Sequence, residues 1–270
     1  MSNKSVVLLA LLTLSSFAFA QRTQEQAVAE ATVSPNSTTA CSFTFTSGSG
    51  RTFTKYCVTA NGNITEFQSP SGVEFINVGQ VGEGYGICDF NGGPTNYFDY
   101  AYTDSGNWLA PTLLSSTATS VKLSRVTSDG IWQLTQTITQ VKATAKSPRS
   151  ATVTMALKNL TGINRAVWLL RFADVDADNQ SNPNDFDYTL DTAYGLRPGF
   201  TYGLSLSNNT FTFSRDAYIT NTFNGPTPCN AFSNLVNPGP FVGGGSIETL
   251  YAFTVPALGP ESVTVTYKPI

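Results

Sequence analysis

Hydrophobic and polar residues alternate along most of this chain, which is the pattern of strands that have one face in a core and one in water. Trp132, Leu134 and Ile138 alternate with glutamine and threonine, and residues 152–157 alternate in the same way. Residues 166–172 are apolar at nearly every position, which predicts a central strand covered on both sides. No long stretch has the period of a helix.

Turn signals separate these runs. Asn61-Gly62 lies between the runs 54–60 and 63–67, and Asp129-Gly130 lies between 121–127 and 131–140. Both dipeptides accept positive φ at little cost and predict tight hairpins. Further short strands are expected at 202–206, 211–213, 251–255 and 263–267. The pattern predicts an all-β fold, a large antiparallel β-sandwich of supersandwich-like size with few or no helices, as a single domain over residues 41–270.

The first twenty residues have the order of an export signal. Lys4 is followed by an apolar run over residues 6–14 and by small residues at Ala18 and Ala20. We expect cleavage near Ala20, a disordered lead over residues 21–40, and a secreted or periplasmic product. We expect no membrane insertion, because no later stretch approaches the ~20 apolar residues that a membrane helix needs.

The chain has four cysteines, an even number that predicts two disulfides in an oxidising compartment. A hairpin centred on Ser49 would place Cys41 opposite Cys57. Cys88 would then pair with Cys229. No C-x-x-C pair is present in the sequence, so a structural role is expected for both bridges.

The amino-acid composition limits the catalytic mechanisms and the bound ions that are expected. The 270 residues contain no histidine, which excludes histidine-based triads, histidine general bases and histidine-ligated metals. The formal net charge is −3, with few charged residues, so nucleic acid is not an expected partner. Any catalysis would have to use carboxylates, tyrosine, lysine or arginine, and any bound ion would be a hard, oxygen-ligated one.

The densest polar segment of the chain spans residues 174–185. Its spacing resembles the calcium loops of the EF-hand and dockerin families, with Asn179 in place of the usual glycine and an aspartate in place of the final glutamate. The resemblance covers about a dozen residues and carries no fold with it. It implies calcium as a cofactor, held by Asp174, Asp176, Asp178, Gln180 and Asp185. The alternative is a solvated acidic turn.

Aromatic residues are concentrated between residues 97 and 108. Tyr97, Tyr100, Tyr102 and Trp108 are candidate ligand-binding residues, because flat rings with polar tips stack against sugar rings. The alternative is that this face packs into the core, as aromatic alternation in a sandwich interior requires. Exposure of the rings decides between the two.

Carboxylates are the one acid and base system that needs no histidine. We nominate none as catalytic, because isolated acids in a β-protein are usually surface or turn residues; those considered are Glu66, Glu74, Glu83, Asp89 and Asp99.

The sequence therefore favours a secreted, non-catalytic β-sandwich that binds an extracellular or cell-surface ligand, with carbohydrate as the leading class. One alternative is a carbohydrate-active enzyme, either a two-carboxylate glycoside hydrolase or a lyase that uses tyrosine, lysine or arginine. Another is a structural or protein-interaction module. The sequence does not indicate an oligomeric state.

Overall fold

A computed structural model describes residues 37–144, 149–199, 202–222, 224–234 and 239–270. The expected signal peptide and residues 21–36 of the expected lead lie outside the described residues, and residues 37–40 have no regular secondary structure. The described chain is built from antiparallel strands in three sheets, which confirms the all-β prediction. No helix in these ranges is long and apolar enough to cross a membrane.

The strands are grouped as follows. The smallest sheet has the order β1 (Phe43–Ser47), β2 (Thr54–Val58), β3 (Ile64–Gln68). The five-stranded sheet has the order β14 (Ser214–Thr220), β16 (Ser246–Val255), β10 (Arg165–Asp174), β4 (Gly82–Asp89), β5 (Thr95–Ala101). The nine-stranded sheet has the order β15 (Phe241–Gly243), β11 (Asn184–Tyr188), β12 (Thr192–Leu196), β13 (Gly203–Asn208), β17 (Pro260–Pro269), β9 (Ser150–Asn159), β8 (Trp132–Val141), β7 (Ser120–Val126), β6 (Thr112–Ser116).

Within the described residues three short 3₁₀ segments connect these strands, at Gly50–Thr52, Ala177–Asn179 and Pro228–Asn234. Both predicted tight hairpins form. β2 pairs with β3 across Asn61-Gly62, and β7 pairs with β8 across Asp129-Gly130. Gly62 and Gly130 have φ of 91° and 71°, the left-handed conformation for which glycine has no side-chain penalty.

The main core lies where the sheets pack against one another. β8 buries every second residue, as its alternation predicts. β10 is central in the five-stranded sheet and is buried from Leu169 to Asp174, which confirms the expected covered strand for the later part of its apolar run; Ala166 is exposed and Trp168 half-buried. The smallest sheet joins the core through stacked rings, with Phe67 packed on Tyr56 at 5.8 Å and on Tyr267 of β17 at 6.3 Å between ring centroids.

Two expectations about the strands were wrong. In the first hairpin Cys57 lies opposite Thr44 rather than Cys41, because the 3₁₀ turn Gly50–Thr52 takes up residues that the predicted register assigned to the second strand. Residues 211–213 form no strand, and β14 begins only at Ser214. Phe211 is 63% exposed there, whereas a strand in this sheet would have buried alternate residues.

Both predicted disulfides are present. Cys41 bonds Cys57, and Cys88 bonds Cys229 at a sequence separation of 141. The first bridge closes the β1–β2 hairpin. The second holds the 3₁₀ segment Pro228–Asn234 against β4, so that this segment covers one face of the five-stranded sheet.

Candidate binding site

The aromatic candidates are inside the protein. Four rings are each at most 6% exposed: Tyr97, Tyr100, Tyr102 and Trp108. They belong to the core, and the expectation that a ligand stacks on exposed rings at these positions was wrong. The physical reason is that β5 is covered on both faces. Tyr97 packs on Trp108 in the main core, whereas Tyr100 and Tyr102 pack in a second cluster beneath residues 224–231.

Four of the five N-terminal acids are buried, which overturns the expectation of surface or turn positions. Glu83 and Arg171 are both fully buried, and the Arg171 Nη2 to Glu83 Oε1 distance is 2.6 Å. Arg171 also donates to Gln136 Oε1 at 2.6 Å and to the carbonyl of Gly62 at 3.1 Å. Burial alone would lower the pKa of Arg171, but Glu83 beside it raises that pKa above its ordinary value. The guanidinium therefore stays charged, and it links β10 to β4, to β8 and to the turn between β2 and β3.

A second buried pair lies next to the first. Arg125 Nη1 is 2.6 Å from Asp99 Oδ2, and the same nitrogen donates to Tyr85 Oη at 3.0 Å. Asn61 donates to Asp99 as well, at 2.8 Å. Asp89 is held in the same manner by Arg165 at 2.6 Å. These carboxylates are occupied by internal partners, so their placement supports a structural role.

The predicted calcium loop has the expected backbone at one position. Asn179, which replaces the usual glycine, has φ of 59°. The burial of the predicted ligands differs, however: Asp174 and Asp176 are buried, Asp178 is half-buried, and Gln180 is exposed. In the described ranges no group of three or more Asp, Glu, Cys or His residues has the geometry to hold a metal ion. Calcium binding by this loop stays a prediction from the sequence.

Asp174 and Asp176 form a small buried acidic region with Glu74. Glu74 Oε1 accepts three backbone N–H groups, from Phe67, Ile76 and Asn77 at 2.7 to 3.0 Å. Burial, and then the charge of Glu74, raise the pKa of Asp176 to about 7. Burial and the neighbouring Asp176 raise the pKa of Asp174 well above its ordinary value. Asp174 therefore keeps its proton at neutral pH, and Asp176 is close to the midpoint of its titration there.

A further buried acid was not anticipated from the sequence. Glu248 of β16 is fully buried between Phe172 and Tyr218, its Cα partners on the neighbouring strands. Neither carboxylate oxygen has a hydrogen-bond partner among the described residues. Burial alone raises the pKa of Glu248 to about 8. It is therefore a neutral acid in the folded protein below that pH.

An open concavity lies away from these buried groups, at one end of the nine-stranded sheet, and has a volume of about 540 Å³. Ligand pockets have volumes of about 300–1,000 Å³. β11, β12 and β15 form most of its lining, together with Pro240 before β15 and Ile270 after β17. The lining consists of Asp185, Phe186, Asp187, Tyr194, Leu196, Pro240, Phe241, Val242 and Ile270. Asp185 is thus the one predicted calcium ligand that faces this concavity.

Strand pairing explains how the polar groups meet. Asp185 and Asp187 are two residues apart on β11 and share one face, because side chains alternate along a strand. Asp187 lies opposite Tyr194 of β12, and Tyr194 Oη donates to Asp187 Oδ2 at 2.9 Å. The backbone N–H of Tyr188 donates to Asp187 Oδ1 at 2.7 Å. These two donors fix the orientation of the Asp187 carboxylate.

The apolar part of the concavity contains two stacked rings and two exposed aliphatic side chains. Phe186 and Phe241 stack with ring centroids 4.9 Å apart and an angle of 16° between their planes. Val242 and Ile270 are more than half exposed, at 67% and 53%. The concavity therefore combines exposed apolar surface with two carboxylates.

This combination limits the ligand. The described lining contains two acids and no basic residue, so an anionic ligand would be repelled. Carboxylates accept hydrogen bonds from hydroxyl groups, and bonds to an ionised acceptor are stronger than neutral ones. Burial and the hydrogen bond to Asp187 raise the pKa of Tyr194, so its phenol stays protonated. The site suits a neutral ligand with hydroxyl groups and an apolar face.

Sequence reasoning missed most of this site. No sequence motif includes Asp187, Tyr194 or Phe241, and their strands are only three to five residues long. The one available signal was the order Asp185-Phe186-Asp187, in which an apolar residue separates two acids with the period of a strand. That order places both acids on one face, but only the pairing of β11 with β12 brings Tyr194 to them.

No protein-family model and no curated protein sequence matches this chain. Among solved structures, a bacterial glucoamylase complexed with acarbose is similar, with a TM-score of 0.57 and 13% identity over 87% of this chain and 33% of the glucoamylase, so the chain spans about a third of that protein. A putative aldose 1-epimerase from Escherichia coli K12 has a TM-score of 0.50 and 10% identity, over 84% of this chain and 99% of its own. The Slr1438 protein from Synechocystis has a TM-score of 0.51 and 10% identity, over 84% of this chain and 95% of its own. At these identities the likeness concerns the fold alone.

Proposed function

We propose that this chain is an exported protein that binds neutral carbohydrate in the concavity formed by β11, β12 and β15. One observation carries the proposal: Tyr194 holds Asp187 as an oriented acceptor beside exposed apolar surface. Sugars present both hydroxyl donors and apolar C–H faces, and aromatic side chains with a polar tip suit such ligands. The two disulfides agree with an oxidising compartment.

The fold comparison supports the choice of ligand class. A glucoamylase in complex with acarbose and a putative aldose 1-epimerase both have a β-sandwich similar to this one. Folds host many functions, so this support is by analogy and the site itself carries the argument.

Binding is tested by calorimetric titration of the full chain with maltose, cellobiose and a charged control, glucuronic acid. We expect one neutral sugar to bind and glucuronic acid to bind more weakly. Asp187→Asn removes a charged acceptor, and because a hydrogen bond to a charged group is worth about 1.5–3 kcal/mol, affinity should fall about tenfold or more.

Two matched variants serve as controls for this test. Glu261→Gln removes an acid from β17, away from the concavity, and should leave affinity unchanged. Tyr194→Ala should weaken binding, whereas Phe211→Ala, at an exposed ring outside the concavity, should not. Equal affinity of the Asp187→Asn and parent proteins, or preference for glucuronic acid, would contradict the proposal.

A second candidate function is glycoside hydrolysis by Asp185 and Asp187. One observation favours it: Asp185 and Asp187 both line the concavity from the same face of β11, and such enzymes use a pair of carboxyl groups on either side of the bond they cleave. Incubation with maltohexaose and cellohexaose, followed by chromatography, distinguishes the two functions. Shorter products that disappear in Asp185→Asn would establish hydrolysis; unchanged sugar would favour binding alone.

A further inference from the structure

The outer face of the nine-stranded sheet carries a row of hydroxyl groups in register. Strand pairing places six such residues side by side on six consecutive strands, in the order Ser120, Thr139, Thr152, Thr266, Ser207 and Thr192. We call these residues the hydroxyl row. A parallel row beside it contains Thr137, Thr154 and Thr264.

The hydroxyl row is accessible to solvent. All six side chains are half-buried, whereas residues that alternate with them, such as Ile138, Val153 and Val265, are fully buried. Ser120 and Thr139 share a hydrogen bond at 3.1 Å. Thr192 donates to Ser207 at 3.0 Å as well, and hydroxyl pairs of this kind, like opposite charges, stabilise neighbouring strands. No member of the row is charged.

Strand propensity does not by itself account for the row. Threonine is enriched in strands because its β-branched side chain fits a pleated surface, but serine is not among the strand-favouring residues. Ser120 and Ser207 nevertheless continue the row on the strands that flank its threonines. What the six positions share is the hydroxyl group, which both donates and accepts hydrogen bonds.

The hydroxyl row is continuous with the concavity. Thr192 lies two residues from Tyr194 on the same face of β12, and Tyr194 lies opposite Ser205 of β13. Six strands span five gaps of about 4.8 Å, so the row extends about 24 Å away from the concavity. This length exceeds what a single sugar ring could cover.

We propose that the concavity is one end of an extended site, and that the ligand is a neutral polysaccharide whose chain lies along the hydroxyl row. This inference rests on the proposed function and adds the ligand's length and path. A polysaccharide repeats hydroxyl groups along its length, so it exchanges hydrogen bonds with a row of protein hydroxyls without requiring any charge. Each added sugar unit within the row should therefore increase affinity.

The test compares chain lengths. The full chain is titrated with cellobiose and cellohexaose, and with maltose and maltohexaose, because the linkage of the ligand is not assumed. In the series that binds, we expect the hexasaccharide to bind at least tenfold more tightly than the disaccharide. Equal affinities per molecule, with disaccharide binding still lost in Asp187→Asn, would overturn the extended site while leaving the proposed function intact. Absence of binding by every sugar would overturn both.

A double variant localises the effect. Thr139→Val with Thr152→Val removes two adjacent hydroxyls and keeps the β-branched shape, so the strands should still form. Since a hydrogen bond contributes about 0.5–1.5 kcal/mol, affinity for the hexasaccharide should fall about tenfold, and affinity for the disaccharide should not change. The matched control is Thr44→Val with Thr46→Val, on an exposed face of β1.

A rescue variant separates hydroxyl chemistry from a change in packing. Thr139→Ser with Thr152→Ser keeps both hydroxyl groups and should retain the hexasaccharide affinity of the parent. The extended site would be contradicted if the valine variant bound the hexasaccharide as tightly as the parent, or if the serine variant lost affinity equally.

Discussion

Glu248 is predicted to make the folded protein less stable as pH rises through neutrality. It is fully buried, without a hydrogen-bond partner among the described residues, and burial raises its pKa from 4.5 to about 8. In the unfolded chain the carboxyl loses its proton near the ordinary value, whereas the folded protein keeps the proton until about pH 8. The free energy of unfolding therefore falls progressively as pH rises from 4.5 to about 8.

The size of this effect follows from the shift. The stabilising contribution is fully present below pH 4.5 and is lost as pH rises to about 8, at about 1.4 kcal/mol per pH unit. Between pH 5 and pH 8 this amounts to about 4 kcal/mol, a large part of the 5–15 kcal/mol stability of ordinary domains. Asp174 and Asp176, whose pKa values are also raised, add a further loss with the same sign.

Glu248→Gln isolates the contribution of this residue, because glutamine has a similar size and does not ionise. Urea unfolding without reductant, followed by tryptophan fluorescence, gives the free energy of unfolding at pH 5 and pH 8. The decrease between the two pH values should be smaller in the variant by about 4 kcal/mol. Glu261→Gln, at a partly exposed site, is the control. Equal losses of free energy of unfolding in the Glu248→Gln variant and the parent over this range would refute the role assigned to Glu248.

Three further predictions concern the rest of the fold. Arg171→Leu leaves Glu83 buried without its cation and should lower the free energy of unfolding by about 3–5 kcal/mol in urea, whereas a loss below about 1 kcal/mol would contradict the role assigned to the pair. Replacing Cys88 and Cys229 together by alanine should lower the free energy of unfolding by about 4–5 kcal/mol, more than removal of the Cys41–Cys57 disulfide, which closes a shorter loop. A larger loss on removal of the Cys41–Cys57 disulfide would exclude the loop-entropy explanation. The calcium prediction is tested by thermal melts with calcium chloride and then a chelator: a bound ion raises the melting temperature and Asp178→Ala abolishes the rise, whereas identical melts argue against an ion in this loop.

Local patterns predicted the parts of the fold that depend on local chemistry. The Asn61-Gly62 and Asp129-Gly130 turns formed because glycine accepts the required φ, and β8 follows its own alternation. The disulfide pairing was also predictable, although the register of the first hairpin was not. That register depends on the 3₁₀ turn Gly50–Thr52, which has no distinctive sequence signal.

Burial of polar and aromatic groups was harder to predict because it depends on distant partners. Glu83 is an isolated acid in the sequence and is paired in the fold with Arg171, 88 residues away. Tyr100 could have faced solvent or core, and the outcome depends on Pro226, whose carbonyl accepts from its hydroxyl at 2.7 Å. The concavity is unpredictable for the same reason, since its residues come from three short strands and from Ile270, which are separated in sequence.

The central claim is that the concavity of β11, β12 and β15 binds neutral carbohydrate. It is tested most directly by titrating isotopically labelled protein with cellobiose and with maltose and following backbone amide shifts. We predict saturable shifts for one of these sugars at residues 185–187 and 194–196, with little change at residues 224–231, which cover the other sheet. Saturable shifts confined to residues 224–231, or no shifts with either sugar, would contradict the claim.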